Sequence, residues 1–426
     1  MARLLVLGSG GREHALVWSL AGEAAGHLLF CAPGNAGTAE LAANLAVDLQ
    51  DHEAVMALVR EQRIDLTIVG PEGPLAAGIV DRFQAENLPI FGPRRDAARL
   101  ESSKLFAREL MAGAGIPQPA YVACHSRAAA REAARAQGLP VVLKADGLAA
   151  GKGVFVCATE AELEAALDRF FIGQDFGPAG LALSVEECLV GPEMSVFAVC
   201  AGEQFAILGT AQDYKRAFEG DRGPNTGGMG SIAPAPLATP ELLQQVSRQI
   251  FKPVLAALAG RGVPYSGFLY AGLMIVDGAP YVIEFNVRLG DPETQAVLPL
   301  LADPLSAVIT AALEQKLPPV LALKPAAAAC VVLAAEGYPG PYTTGLPIGG
   351  LDQLDEEITL FHAGTTRRDG RLVSSGGRVL SLVATADDHA EAAAIIYRNM
   401  ARIDMPGSRF RSDIGRPQVA AAAEAN

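Results

Sequence analysis

Short apolar runs closed by glycine or proline recur through the first hundred residues, each followed by a segment of helical period. Arg3 to Leu7 reads as a buried strand, Gly8-Ser9-Gly10-Gly11 as a tight turn and Glu13 to Ala21 as a helix. The strand Leu28 to Cys31, a helix through Val55 to Arg60, the strand Leu66 to Val69, a helix through Ile79 and the strand Pro89-Ile90-Phe91 continue the alternation. Strands interleaved with short helices predict a parallel sheet with crossover helices, ending near Ser103.

Lys104 then opens a helical segment, Leu105 to Met111, and Pro117 and Pro119 mark a linker. A second α/β unit from Tyr121 to about Leu189 carries the run Val141 to Lys144, the glycine-rich loop Gly147 to Gly153, and Val154 to Val156. Asp277-Gly278 favours a type I′ turn, so the apolar stretch Ala279 to Asn286 reads as the strand of a hairpin. From about Lys324 a smaller strand-rich region follows, with Cys330 to Ala334, Ile358 to His362 and Val379 to Ala384, then a helix from Ala390 to Ala401. The Ala-rich end, Val419 to Asn426, is expected to fray.

Composition narrows the class. A chain of 426 residues exceeds one ordinary domain, and at about 150 residues per domain three are expected. The apolar runs are broken by Asp303, Lys324 or Glu336 before reaching the roughly 18 residues of a spanning helix. Met1-Ala2-Arg3-Leu4 leads straight into a strand with no cleavage region, so a soluble, cytoplasmic protein is expected. The net charge of −13 argues against nucleic acid or an anionic membrane as partner, and any phosphate must be held by a local site. The six cysteines show no C-x-x-C pair and no zinc spacing, which predicts buried reduced thiols.

The densest chemistry lies at Glu284 to Gln295. Alternation along a strand points Glu284 and Asn286 to one face, giving two oxygen ligands suited to Mg²⁺, or simply a polar rim to a sheet. The continuation Arg288-Leu289-Gly290-Asp291-Pro292-Glu293 adds a guanidinium and two acids at the same strand end, which favours a metal-and-phosphate site. The turn after the first strand fails as a dinucleotide fingerprint: Glu13 stands where the third glycine belongs, and the second strand ends in Ala32-Pro33 rather than an acid. What survives is a helix N-terminus suited to a single phosphate, with Arg12 beside it. The loop Gly147 to Gly153 lacks P-loop spacing and joins two strands, so it is either a lid over a triphosphate or a mobile surface hairpin. Ser184 to Glu193 reads either as an edge for adenine and ribose or as an exposed acidic turn. Gln212 to Arg216 and Pro224 to Gly230 concentrate polar groups and glycines beyond the needs of a connector.

Taken together, these segments resemble the phosphoribosylamine-glycine ligase family of the ATP-grasp superfamily. The resemblance is carried by Gly8 to Ala15, Ala32 to Gly37, Val69-Gly70-Pro71-Glu72, Phe91-Gly92-Pro93, Ser103-Lys104, Lys144 to Gly153, Pro224 to Gly230 and Arg288 to Glu293. Leu289, where the family usually has Phe, and Tyr214, often His, depart from it without removing a charge or a ligand. The implied organisation is an N-terminal parallel-sheet α/β domain (1–103), a two-lobed ATP-grasp domain (104–323, lid about 120–190) and a small strand-rich C-terminal α/β domain (324–426). The implied reaction joins glycine to 5-phosphoribosylamine with ATP, through glycyl phosphate, in purine synthesis.

The resemblance further implies Lys104 and Lys144 on the ATP phosphates, with Gly151, Lys152 and Gly153 as the covering loop. Glu186, Cys188 and Leu189 would line the adenine pocket, the first and last through backbone atoms, and Glu193 would take the ribose hydroxyls. Glu284 and Asn286 would carry Mg²⁺, with Mn²⁺ as a substitute. Arg288 would hold a phosphate and Asp291 an amino group, while Asp213, Lys215, Asn225, Gly227, Gly228 and Gly10, Gly11, Arg12 and Glu13 would complete the acceptor sites. A monomer or weak homodimer is expected. Rival readings are another ATP-grasp ligase, a dehydrogenase, and a nucleotide-binding regulator without turnover.

Overall fold

The computed structural model describes residues 1–149 and 153–416; Gly151, Lys152 and the segment Val419 to Asn426 lie outside them. The first sheet is parallel and comprises β1 (Arg3–Gly8), β2 (Leu28–Pro33), β3 (Ala43–Asn44), β4 (Leu66–Val69) and β5 (Ile90–Phe91) in the order β3-β2-β1-β4-β5. Leu4 to Leu7 are buried on both faces, which is why this stretch reads as continuous apolar sequence rather than alternation. Strand order reverses between β1 and β4, so a crevice opens beyond their carboxyl ends. The helix Gly11–Ala21 begins two residues earlier than Glu13, because the Glu13 carboxylate reaches back to accept the Gly10 N–H at 2.6 Å and caps the start.

The next lobe is a four-stranded antiparallel sheet of β6 (Tyr121–Cys124), β7 (Val141–Ala145), β8 (Val154–Cys157) and β9 (Leu183–Glu187), ordered β6-β9-β7-β8. The amphipathic helices Arg127–Gln137 and Glu160–Phe171 cover it, burying Leu143, Leu163, Leu167, Phe170 and Val185 in a separate small core. β7 and β8 form the hairpin expected around the glycine loop, with Lys144 opposite Val154.

The remaining chain builds one eight-stranded antiparallel sheet. Its strands are β10 (Glu193–Ala201), β11 (Gln204–Asp213), β14 (Gly230–Ala233), β15 (Ser266–Val276), β16 (Ala279–Asn286), β17 (Ala327–Ala334), β18 (Thr359–His362) and β21 (Arg378–Ala386). Two-stranded ribbons, β12 (Arg216–Phe218) with β13 (Arg222–Asn225) and β19 (Thr365–Arg368) with β20 (Arg371–Ser374), project from it. The order is β16-β15-β10-β11-β14-β17-β21-β18, so the strands beyond residue 324 extend the central sheet, Ser231 pairing with Cys330. Asp277 (φ 50°) and Gly278 (φ 79°) supply the two positive φ angles that a type I′ turn demands between β15 and β16. Cys31, Cys124, Cys157, Cys200 and Cys330 are buried thiols, Cys188 is half-buried, and none is in a disulfide.

Candidate active site

Pairing of β15 with β16 shifts register so that Ile283 is the extra residue of a bulge. Its carbonyl accepts from Lys144 Nζ at 2.8 Å and from Arg108 Nη2 at 2.7 Å. Beyond the bulge Glu284 and Asn286 lie opposite Gly272 and Tyr270, while Phe285 between them enters the core. A Cβ on residue 272 would stand 3.1 Å from Glu284 Cγ, so glycine there leaves the carboxylate room.

Lys104 Nζ lies 3.2 Å from Glu284 Oε2. Its helix, Lys104–Ala114, is fixed by Ser103, whose hydroxyl accepts from Phe106 N and donates to Asp146 Oδ1 at 2.8 Å, tying the helix start to the end of β7. Burial opposes ionisation of Glu284, yet Lys104, Lys215 and Lys144 hold its carboxyl far below the usual range. An ionised carboxylate and a carboxamide on one face fit a hard cation that shares its shell with phosphates. Among the described residues no cluster of three His, Cys, Asp or Glu offers a cage of its own, so the fit is for an ion completed by phosphate and water.

Glu186 on β9 is gripped by Arg108 (Nε to Oε1 2.8 Å, Nη2 to Oε2 2.7 Å), by Lys144 at 2.9 Å and by Ser184 Oγ at 2.8 Å. Against burial, Lys144 and Arg108 bring its pKa down to about 2. The Glu186 carboxylate therefore serves the protein, and its backbone lies inside the sheet opposite Tyr121 and Val142, so backbone free for a ligand begins only beyond it. Cys188 and Leu189 follow β9 half-buried, and Gly153 opens the strand side of the β7–β8 hairpin by accepting Ala145 N at 2.9 Å. Glu193, expected at ribose, lies 2.5 Å from Lys215 Nζ.

On the other side of Glu284, Arg288 sits between two acids, Glu101 at 2.8 Å and Glu72 at 3.2 Å, which raise its pKa despite burial. The Arg12 guanidinium pairs with Glu13 at 2.6 Å and donates to Leu289 O at 3.1 Å, joining the turn after β1 to the end of β16. A Cβ on Gly70 would fall 2.2 Å from Glu13 Oε1, so the turn after β4 packs directly on this carboxylate. Asp291 accepts from Gln295 Nε2 at 2.8 Å and lies 3.2 Å from Arg378 Nη2; burial notwithstanding, Arg378 and then Arg12 keep it ionised. Burial pushes Asp213 up to about 7, Glu293 adding to the effect and Lys215, 3.7 Å away, opposing it. Asn225 ends the exposed β13, Gly227 is exposed, and Gly228 is packed so that a Cβ would meet Pro292 Cδ at 2.3 Å.

Sequence reasoning missed Arg108, Glu72, Glu101 and Arg378 as members of this cluster. Arg108 follows Lys104 by four residues, one helical turn on the same face, and Glu72 follows the end of a parallel strand; both positions were signals. Arg378 and Glu101 offered none.

A glycine hairpin lobe facing a sheet-end carboxylate, with lysines from both sides converging on it, defines an ATP-grasp ligase. Family models described as phosphoribosylglycinamide synthetase N domain, ATP-grasp (A) domain and C domain match residues 2–101, 102–294 and 328–417. The chain belongs to the phosphoribosylglycinamide synthetase family. It is 47% identical over 416 residues to the phosphoribosylamine--glycine ligase of Brucella melitensis, covering 97% of each. It superposes on the crystal structure of the Thermotoga maritima phosphoribosylamine--glycine ligase with a TM-score of 0.85 at 34% identity, over 96% of this chain and 99% of that one. A Campylobacter jejuni biotin carboxylase shares the fold alone, with a TM-score of 0.74 at 18% identity, over 97% of this chain and 94% of that one.

Proposed function

We propose that this protein ligates glycine to 5-phosphoribosylamine at the expense of ATP, giving glycinamide ribonucleotide, ADP and phosphate for purine synthesis. The observation that carries this reading is the match of all three family domains along one chain whose Glu284, Lys104 and Lys144 meet at a single cleft.

Glycine's carboxylate attacks the γ-phosphorus and ADP leaves; the amine of phosphoribosylamine then attacks the acyl carbon of glycyl phosphate and inorganic phosphate leaves. No enzyme nucleophile is needed, so catalysis rests on placement and on charge. Lys104 and Lys144 hold ATP phosphates beneath the hairpin that ends at Gly153. The backbone after Glu186, with Cys188 and Leu189, takes adenine, and Glu193 takes ribose by exchanging its contact with Lys215. Glu284 and Asn286 would hold Mg²⁺ or Mn²⁺, which would supply neutralisation of phosphoryl charge.

The acceptor lies between the start of the helix Gly11–Ala21 and the turn Arg288–Asp291. Free N–H groups at that helix start suit its phosphate. Asp291, ionised, suits an amino group, and Asp213, Lys215 and the Asn225–Gly228 loop close the pocket. Arg288, already flanked by Glu72 and Glu101, positions the pocket wall as well as contributing charge. The protein acts in the cytoplasm, as a monomer or weak homodimer.

The test is ADP release measured with ATP, glycine and freshly made phosphoribosylamine, each omitted in turn. Release dependent on both glycine and phosphoribosylamine is expected. Release supported by bicarbonate or another carboxylate acceptor in their place would move the chain to a different ligase activity.

A further inference from the structure

Two loops form one wall of the acceptor pocket, the glycine loop at Gly227-Gly228 and the turn at Asp291-Pro292, and they come from distant parts of the chain. One side chain from beyond residue 324 joins them. Arg378, the first residue of β21, donates from Nη1 to Gly227 O at 2.6 Å and to Asp291 O at 2.5 Å, and its Nη2 lies 3.2 Å from Asp291 Oδ2. Gln295 Nε2 holds the other Asp291 oxygen at 2.8 Å, so both oxygens of that carboxylate are fixed. Tyr338 Oη accepts the Gly227 N–H at 3.0 Å, and Ser231 Oγ donates to Pro292 O at 3.0 Å, so both loops are also anchored separately. With Gly228 packed against Pro292, the wall has little slack, and Arg378 sets its registry.

We propose that Arg378 is a positioning residue for the acceptor half of the ligase reaction, acting through Asp291 and Gly227; the assignment rests on the ligase reading above. A planar guanidinium presents donors from two nitrogens in fixed directions and so serves two carbonyls and a carboxylate at once; an ammonium keeps the charge and three donors but not that geometry. The side chain is 21% exposed, so the fork is not sealed in the core.

The experiment is steady-state kinetics of Arg378→Ala, Arg378→Lys and Tyr338→Phe beside the wild type, with thermal midpoints for all four. Small displacements of reacting groups cost up to about a hundredfold, so the KM for phosphoribosylamine in Arg378→Ala is expected to rise roughly 10- to 100-fold while that for ATP stays within about twofold. Arg378→Lys is expected to fall between wild type and Arg378→Ala, and Tyr338→Phe to shift the acceptor KM by a few fold. Unchanged acceptor KM in a folded Arg378 variant, or equal rises for ATP and acceptor together with a lowered midpoint, would overturn the assignment. Absence of glycine- and phosphoribosylamine-dependent ADP release by the wild type would instead overturn the ligase reading, and this assignment with it.

Discussion

Arg108 meets Glu186 end to end, Nε on Oε1 at 2.8 Å and Nη2 on Oε2 at 2.7 Å, with both side chains almost wholly buried. Removing one partner of such a pair costs about 3–5 kcal/mol when the charge left behind has no other partner, and less here because Lys144 lies 2.9 Å from Glu186. Arg108→Ala is therefore expected to lower the thermal midpoint by several degrees and, because Lys144 shares Glu186, to weaken ATP binding. A midpoint unchanged in Arg108→Ala would show that the pair is dispensable.

Glu284 faces the cleft with its side chain 27% exposed, and its ion pair with Lys104 contributes about 0–1 kcal/mol at such exposure. Glu284→Gln should thus keep the wild-type melting behaviour while turnover falls by more than about a hundredfold, the loss expected when a charge-stabilising group at the reacting centre goes. Near-normal rates at saturating Mg²⁺ would remove the metal from this position.

Arg288→Ala is expected to raise the KM for phosphoribosylamine well above its effect on ATP. It should also destabilise the protein, because Glu101, with a side chain 5% exposed, loses its nearest cation. Adding Glu101→Gln should restore the melting point without restoring acceptor binding. Equal KM effects on both substrates would place Arg288 outside the acceptor pocket.

His362 N donates to His14 Nδ1 at 2.8 Å across the join between the first sheet and β18. Burial, then the neighbouring His362, lowers His14 to about 3; burial, then Arg367, lowers His362 to about 4. Both rings bind a proton in the unfolded chain near pH 6.5 but resist it when folded, so their stabilisation is complete above that pH and is lost as pH falls toward 4. Each ring can contribute a slope of up to about 1.4 kcal/mol per pH unit. Between about pH 7 and about pH 5 the wild-type midpoint should fall more steeply than that of His362→Gln, and parallel slopes would show that the rings titrate freely.

Much of the local structure was legible because it is enforced locally. Asp277-Gly278 fixed the hairpin that carries Glu284, and β-period alternation placed Glu284 and Asn286 on one face as found. The broken dinucleotide fingerprint also had a readable cause: Glu13 takes the third-glycine position because its carboxylate caps Gly10 and packs on Gly70. What could not be read were pairings over long separations, such as Arg108 with Glu186 and Arg378 with Asp291. The long strands β10, β11 and β15 also escaped notice. β10 is apolar and buried on both faces over nearly its full length, and a continuous apolar run carries no period to separate strand from helix.

The shared eight-stranded sheet makes the carboxyl-terminal part of this chain a poor candidate for excision. A protein ended before Ala327 would leave Gly230 to Ala233 as an unpaired edge, with the N–H and C=O groups that now bond Ala328 to Val331 turned to solvent. Such an edge is a template for another copy, so truncation there should produce self-association before it produces a smaller enzyme.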